Sequence, residues 1–205
     1  MPEPAVSGSG GRRVGVFGGT FDPPHVGHLV TAVNVRHALS LDVVLLVVAN
    51  QPWQKAGTRR ITDPTDRLAM VEAAVRGVGG LEASRLEIDR GGDSFTADTL
   101  ATLHRGEPDA DLYLVLGADA AAGLPTWERI DEVCGRSTVV VVDRPGSESR
   151  PLPAPFTAMH VEVPSIDVSS TDLRARVADG RPLDYLLPRD VIACVRERRL
   201  YRDLT

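Results

Sequence analysis

The chain has few cysteines, no long apolar run and almost no lysine. Cys134 and Cys194 are the only cysteines among 205 residues, too few for a disulfide framework or a four-cysteine zinc site. The longest uninterrupted apolar run, residues 43–49, is far shorter than the roughly 20 residues that a membrane-spanning helix needs. These absences exclude a disulfide-stapled scaffold and predict no membrane partner. Lys55 is the only lysine.

The termini and the charge balance narrow the class further. Residues 1–11, MPEPAVSGSGG, lack the basic start and apolar centre of a signal peptide, so we interpret them as a flexible leader and expect a cytoplasmic protein. The 23 basic and 28 acidic residues give a net charge of −5, which disfavours nucleic acid as a partner. Residues 12–205 are predicted to form a single domain, with a helical part from about residue 165 to 205.

Apolar segments alternate with amphipathic segments along the chain. Strands are predicted at 13–17, 43–48, 81–88, 112–116, 138–142 and 159–163, and helices at 26–39, 64–76, 96–105, 127–134, 170–178 and 188–199. This order predicts an α/β fold, Rossmann-like and doubly wound, with a mainly parallel sheet and helices on both faces. Ligands of such folds bind at the carboxyl ends of the strands. The loop after the first strand is therefore the first candidate site.

That loop carries the segment GGTFDPPHVGH, residues 18–28. It is neither a P-loop nor a GxGxxG dinucleotide fingerprint. Gly18 and Gly19 would let a phosphate approach the backbone, and His25 and His28 are three residues apart, so their side chains share a helix face. Unpaired N–H groups and the helix dipole favour an anion at that position. The segment predicts a polyphosphate site.

Two other interpretations of the histidine pair have to be weighed. A capping histidine beside a surface histidine would give the same spacing. A zinc site would need further ligands, and the other histidines, His37, His104 and His160, form no metal-binding pattern. We therefore expect no metal bound by protein side chains.

A second motif, VSSTDLR at residues 168–174, opens a later predicted helix. Ser169 or Ser170 can be a plain N-cap that needs no ligand. The hydroxyl groups, the first N–H groups of the helix and Arg174 one turn further on also suit an anion. Both interpretations stay open for this motif alone, but two such helix starts in one chain favour a phosphate ligand.

The two motifs together resemble the signatures of the nucleotidyltransferase superfamily with a (T/H)xGH motif. From about residue 14 to residue 201 the chain is most similar to the bacterial nicotinate mononucleotide adenylyltransferase family. SFTADTL at 94–100 resembles that family's SYTxDTL, and residues 117–127 resemble its GxDxxxxLPxW. Similar agreement is found at 142–146, its RPG turn, and at 185–201, its YLVP…LY end. The chain departs from the family at residues 50–55, NQPWQK, where many relatives have Pro-Pro-His-Lys/Arg.

The resemblance implies a reaction and a set of site residues. AMP would pass from ATP to nicotinate mononucleotide by in-line attack at the α-phosphate, giving nicotinate adenine dinucleotide and pyrophosphate in NAD biosynthesis, with Mg²⁺ accompanying ATP. The implied catalytic residues are His25, His28 and Arg174. The implied ATP-binding residues are Gly18, Gly19, Thr20, Phe21, His25, His28, Ser170, Thr171 and Arg174. The implied nicotinate mononucleotide-binding residues are Gly19, Thr20, Lys55, Thr96, Asp119, Trp127 and Arg144.

Two alternatives accompany this expectation. Phosphopantetheine adenylyltransferase shares the first motif and the reaction type, but it is a shorter chain without the Trp127 segment. A non-catalytic nucleotide sensor would keep the fold and lose turnover, although the retained His25, His28 and Arg174 speak against it. The sequence leaves the oligomeric state open, a homo-oligomer included.

Overall fold

The fold is built around one parallel sheet. A computed structural model describes residues 10–52, 61–143 and 152–202. Its strands are β1 (Arg13–Gly19), β2 (Val43–Val48), β3 (Leu81–Ser84), β4 (Asp111–Gly117), β5 (Thr138–Asp143) and β6 (Met159–Glu162). They pair in the order β3-β2-β1-β4-β5-β6, with every pairing parallel. The strand order therefore reverses between β1 and β4.

Helices cover both faces of this sheet. They are α1 (Val26–Ala38), α2 (Pro64–Val75), α3 (Leu86–Arg90), α4 (Thr96–Gly106), α5 (Ala118–Ala122), α6 (Ile130–Arg136), α7 (Ser170–Asp179) and α8 (Arg189–Glu197). Val35 of α1 and Val71 of α2 join one core cluster with sheet residues such as Val44. Leu100 of α4 and Val133 of α6 join the other cluster. The predicted doubly wound α/β fold is confirmed.

The last two helices pack on α2 and form a third core cluster. Met70 of α2, Leu173 of α7 and Val191 of α8 are all buried in that cluster, together with Tyr201 beyond α8. The C-terminal part of the chain is thereby attached beside the helix layer that carries α1 and α2. This arrangement brings residues 170–201 towards the loop that follows β1.

Helix α5 was not predicted, and two of the predicted elements have clearly different bounds. The strand predicted at 81–88 ends at Ser84, and the chain turns into α3, because only residues 81–84 pair with β2 at this edge of the sheet. The helix predicted to start at 127 starts at Ile130, because a short 3₁₀ turn at 124–126 and a left-handed Arg129 (φ 55°) come first. In the described ranges, none of the helices has the length and apolar character needed to cross a membrane.

Candidate active site

The loop between β1 and α1 is anchored by a buried arginine of α2. Arg67 is fully buried, and its Nη1 donates to the carbonyl oxygens of Thr20 (2.9 Å) and Ala49 (2.6 Å). Its Nη2 donates to the Asn50 carbonyl at 3.0 Å, and its Nε donates to the Thr62 carbonyl at 2.8 Å. A guanidinium has donors enough for such a set, and the buried carbonyls of Thr20 and Ala49 need a partner because they lie away from water. Arg67 therefore ties the ends of β1 and β2 together.

The start of α7 holds the same loop from another side. Arg174 is buried, and its Nη1 donates to the Asp22 carbonyl at 2.8 Å, while its Nη2 donates to Thr171 Oγ1 at 3.2 Å. Ser170 Oγ donates to the Pro23 carbonyl at 2.9 Å. The two motifs that the sequence singled out are therefore in direct contact. Ser169 is the N-cap of α7, with its Oγ accepting from the Asp172 N–H at 3.2 Å.

The two motif histidines stack on each other at the start of α1. His25 is the N-cap and His28 lies one turn inside the helix, with ring centroids 3.7 Å apart and an interplanar angle of 24°. The His25 backbone N–H donates to His28 Nδ1 at 3.1 Å, so Nε2 carries the proton of a neutral His28. Burial lowers the pKa of His25 to about 4, so its ring is neutral at physiological pH.

Two glycines make room for this stack. A Cβ on Gly19 would lie 2.8 Å from the ring of Phe21, a residue held at φ 51° and 2% exposed. That ring meets His28 edge-on, with centroids 5.1 Å apart. A Cβ on Gly27 would lie 3.1 Å from His25 Nδ1. Gly19 and Gly27 therefore leave room for the rings of Phe21 and His25.

The first N–H group of α1 already has a partner. The Val26 N–H donates to the Leu186 carbonyl at 3.1 Å, so the turn before α8 caps this helix. The sequence predicted that the first N–H groups of α1 are unpaired and can bind a phosphate. For the Val26 N–H this prediction is wrong. The dipole of α1 still favours an anion near this helix start.

A cleft of about 570 Å³ opens at the carboxyl ends of the strands. Thr96 is the first residue of α4, Asp119 lies in the first turn of α5, and Trp127 ends the 3₁₀ turn. Trp127 is half-buried and also packs against the core, so its ring has a structural and a surface side. The predicted site residues that line the cleft are Gly18, Gly19, Thr20, Thr96, Asp119 and Trp127.

The start of α4 is attached to the end of β2. The Asn50 backbone N–H donates to Ser94 Oγ at 2.8 Å, and its Nδ2 donates to the Gly92 carbonyl at 2.8 Å. The Ser94 N–H donates to the Gln51 carbonyl at 3.0 Å. These bonds bring Thr96 to the same edge of the sheet as the loop after β1.

The other predicted site residues occupy different positions. His25, His28, Phe21, Ser170, Thr171 and Arg174 belong to the loop and helix starts beside the cleft and do not line it. Lys55 and Arg144 lie outside the described residues, as do residues 1–9 of the predicted leader. A separate cleft of about 590 Å³ between α7 and α8 contains none of the predicted site residues.

Four buried polar residues of this region were not singled out from the sequence. Arg67 and Asp22 hold the loop, Tyr201 contacts Asp22, and Glu87 of α3 lines the cleft and accepts from Thr99 Oγ1 at 2.6 Å. Arg67 lies on the apolar face of a predicted helix, and Asp22 and Tyr201 lie within segments that resemble the family, but no pattern indicated their partners. Their roles follow from contacts between distant parts of the chain.

The acidic residues near the cleft are few and separate. Across residues 10–52, 61–143 and 152–202, no group of three or more His, Cys, Asp or Glu side chains is placed to hold a metal ion. Asp119 and Glu128 offer single carboxylates at the cleft. A cation that arrives with a polyphosphate would find these carboxylates nearby.

A doubly wound parallel sheet with a histidine-bearing helix start at its switch point is typical of nucleotide-binding α/β proteins. Residues 16–176 match the family model described as Cytidylyltransferase-like, and the chain belongs to this family. Within it, the chain is 44% identical over 194 residues to a protein of Mycobacterium sp. (strain KMS) named "Probable nicotinate-nucleotide adenylyltransferase", covering 90% of this chain and 94% of the relative. A protein of the same name from Desulfitobacterium hafniense (strain Y51) is 41% identical over 200 residues, covering 93% and 96%.

Solved structures agree with the fold. The nicotinic acid mononucleotide adenylyltransferase of Plasmodium falciparum, complexed with NaAD, superposes with a TM-score of 0.74 at 15% identity, over 93% of this chain and 97% of that chain. The same enzyme complexed with APC gives a TM-score of 0.73. At this identity the likeness supports the fold alone.

Proposed function

We propose that the chain is an adenylyltransferase that moves AMP from ATP to nicotinate mononucleotide, forming nicotinate adenine dinucleotide and pyrophosphate. The observation that carries the proposal is the contact between the two motifs beside the cleft. Ser170 and Arg174 bind the loop that leads to His25 and His28, and residues 18–20 of that loop also line the cleft. The loop from residue 20 to His25, with His28 and the start of α7, is called the histidine side, and the residues around Thr96, Asp119 and Trp127 are called the cleft side. One site can therefore hold a triphosphate on the histidine side and an acceptor on the cleft side.

The reaction asks more for positioning than for a base. A phosphate monoester has a second pKa near about 6 and is mostly dianionic at neutral pH, so its oxygen can attack without losing a proton to the protein. The oxygen forms a bond to the α-phosphorus of ATP, and the bond from that phosphorus to the bridging oxygen breaks. Pyrophosphate leaves with the electron pair. Catalysis then consists of aligning two anions and stabilising the developing charge.

The histidine side supplies donors and charge for the triphosphate. We assign the His28 side chain to the phosphates because it lies in the first turn of α1, where the helix dipole favours an anion. His25, neutral and stacked, orients that ring. Arg174 contributes a positive charge close to the loop, although two of its N–H groups are engaged within the protein. Thr171 is exposed at the start of α7, where helix N–H groups favour phosphate oxygens.

The cleft side suits the acceptor. Trp127 presents a ring on which a pyridinium can stack, an arrangement that electrostatics favours for a cationic ring. The start of α4 at Thr96 is a helix N-terminus, which suits the carboxylate of nicotinate. Asp119 is exposed and can accept from a ribose hydroxyl. Mg²⁺ enters as the Mg²⁺–ATP substrate complex, carried mainly by phosphate oxygens and water.

Pyrophosphate release tests the proposal. The full chain is incubated with Mg²⁺–ATP and, separately, with nicotinate mononucleotide, nicotinamide mononucleotide or phosphopantetheine. We expect release with nicotinate mononucleotide above the other two acceptors. Release with phosphopantetheine alone would favour the first alternative, and ATP binding without release in any reaction would favour the sensor. A cytoplasmic location and a homo-oligomer stay predictions.

A further inference from the structure

The segment after α8 returns to the loop that carries the histidines. Tyr201 Oη donates a hydrogen bond of 2.8 Å to Asp22 Oδ1, across 179 residues of sequence. Asp22 is 1% exposed and Tyr201 is 8% exposed, and neither residue belongs to a helix or strand. Because both groups are removed from water, the bond is lost unless the two segments keep their positions.

The Tyr201 hydroxyl keeps the proton that it donates to Asp22. Burial, and then the negative charge of Asp22, raise the pKa of the Tyr201 phenol well above its ordinary value. The phenol is therefore protonated at neutral pH. The carbonyl of the same Asp22 accepts from Arg174, so Asp22 is held at its side chain and at its backbone.

The connection from Asp22 to the histidine pair is short and stiff. Pro23 and Pro24 are the only residues between Asp22 and His25, and each has a φ angle fixed by its ring. A displacement of Asp22 is therefore passed on to His25 and to the His28 ring stacked at 3.7 Å. Displacements of about 1 Å can lower an enzymatic rate by about 100-fold.

We infer that Tyr201 is a positioning residue for adenylyl transfer, which sets the place of His25 and His28 through its hydrogen bond to Asp22. This inference rests on the proposed function. It concerns the side chain that ends the C-terminal cluster, so it gives α8 and its extension a role in the rate of the reaction. The bond is needed for alignment, and the binding of either substrate does not require it.

Tyr113 offers a matched control in the same chain. Its hydroxyl oxygen accepts from Arg13 Nη2 at 2.8 Å, and Arg13 begins β1 at the opposite end of the sheet from the cleft. Tyr201→Phe and Tyr113→Phe each remove one oxygen from a ring that stays in place. A purely structural hydrogen bond would make the two variants alike in their kinetics.

The test combines steady-state kinetics with imidazole NMR. We expect Tyr201→Phe to lower kcat by about tenfold or more, with KM for ATP and for nicotinate mononucleotide changed by less than about threefold, as for other residues that orient a catalytic group. Tyr113→Phe should keep kcat within about twofold. The ring signals of His25 and His28 should shift in Tyr201→Phe and stay unchanged in Tyr113→Phe.

Each other outcome is informative. A kcat of Tyr201→Phe equal to that of the wild type, or an equal loss in both variants, overturns the inference. The NMR signals report on folded molecules only, so unmoved histidine signals overturn it even if Tyr201→Phe lowers the folded fraction. If the wild type shows no transfer activity, the proposed function fails, and the same signals still decide whether Tyr201 positions the histidines.

Discussion

The histidine side and the cleft side of the site are built in different ways. On the histidine side, Arg67, Arg174 and Ser170 bind the carbonyls of the loop at positions 20, 22 and 23. On the cleft side, Asp119 is exposed and Trp127 is half-buried. Within the ranges that the structure describes, neither of those two side chains forms a hydrogen bond or an ion pair.

The difference corresponds to two tasks. Stabilising charge on a reacting phosphate requires donors that are already in position, because reorganising them would add to the barrier. Recognising an acceptor allows side chains to settle on the ligand as it binds. We therefore expect substitutions on the histidine side to affect stability and kcat, and substitutions on the cleft side to affect KM for the acceptor.

The largest expected effect is the loss of the buried arginine. Arg67→Met should lower the free energy of unfolding by about 3–5 kcal/mol, because it leaves the two buried carbonyl oxygens of Thr20 and Ala49 without their donor. Urea unfolding measures the change. Arg76→Met at the C-cap of the same helix, which removes an exposed ion pair to Asp190, should cost less than about 1 kcal/mol. Similar losses in both variants would contradict the anchoring role of Arg67.

Removal of the assigned phosphate donor is expected to be next in size. His28→Ala should lower kcat by at least about 100-fold, about 2.7 kcal/mol, while the fold survives. Pyrophosphate release gives the rate, and circular dichroism checks the fold. His37→Ala is the control, because His37 is exposed near the other end of α1. Near-normal turnover of His28→Ala would show that His28 does not act in the reaction and would contradict the assignment of the phosphates to the histidine side.

Substitution on the cleft side should have a smaller and more selective effect. Trp127→Ala should raise KM for nicotinate mononucleotide by about tenfold, about 1.4 kcal/mol, since it removes the stacking surface. KM for ATP should change by less than about twofold. Trp127→Phe keeps an aromatic face, so its KM for nicotinate mononucleotide should lie between that of the wild type and that of Trp127→Ala. An equal rise in KM for ATP and for nicotinate mononucleotide would mean that Trp127 supports the whole site, and it would contradict the division into a histidine side and a cleft side.

Much of the fold could be predicted because its signals are local. The strand at 43–48 agrees with β2 at both ends, since a strand buried on both faces is a continuous apolar run. The helix start at Pro64 was marked by Asp63, whose Oδ1 accepts from the Thr65 N–H at 2.8 Å. The strand predicted at 81–88 was four residues too long, because the end of a strand depends on its neighbours in the sheet and not on a local signal. Residues 86–88 are apolar enough for a strand, but no neighbouring strand continues there.

The motifs indicated candidate residues but not their contacts. The structure stacks His25 on His28 and joins Ser170 and Arg174 to the loop before them, while the roles of all four stay predictions. The sequence could not indicate that Arg174 donates to the carbonyl of Asp22, because 152 residues separate the two. The same holds for Tyr201. Long-range hydrogen bonds follow from the packing of α7 and α8 on α2, for which a single sequence carries no local signal.

The smallest expected effect concerns pH and the histidine side. Burial lowers the pKa of His25 to about 4 in the folded protein, against an ordinary value of 6.5. As the pH falls, the unfolded chain therefore takes up a proton before the folded protein does. The contribution of neutral His25 to the free energy of unfolding is therefore complete above about pH 6.5 and is lost as the pH falls towards about 4. Between about pH 7 and about pH 5.5 the loss amounts to about 1 kcal/mol.

A variant that cannot titrate at this position isolates the contribution. His25→Asn keeps a residue type suited to a helix N-cap and has no proton to gain, while all other titratable groups remain in both proteins. Urea unfolding at about pH 7 and about pH 5.5 should therefore show a greater loss of stability for the wild type, by about 1 kcal/mol. Equal losses would mean that the His25 ring reaches water, and the histidine side would then be no more closed than the cleft side.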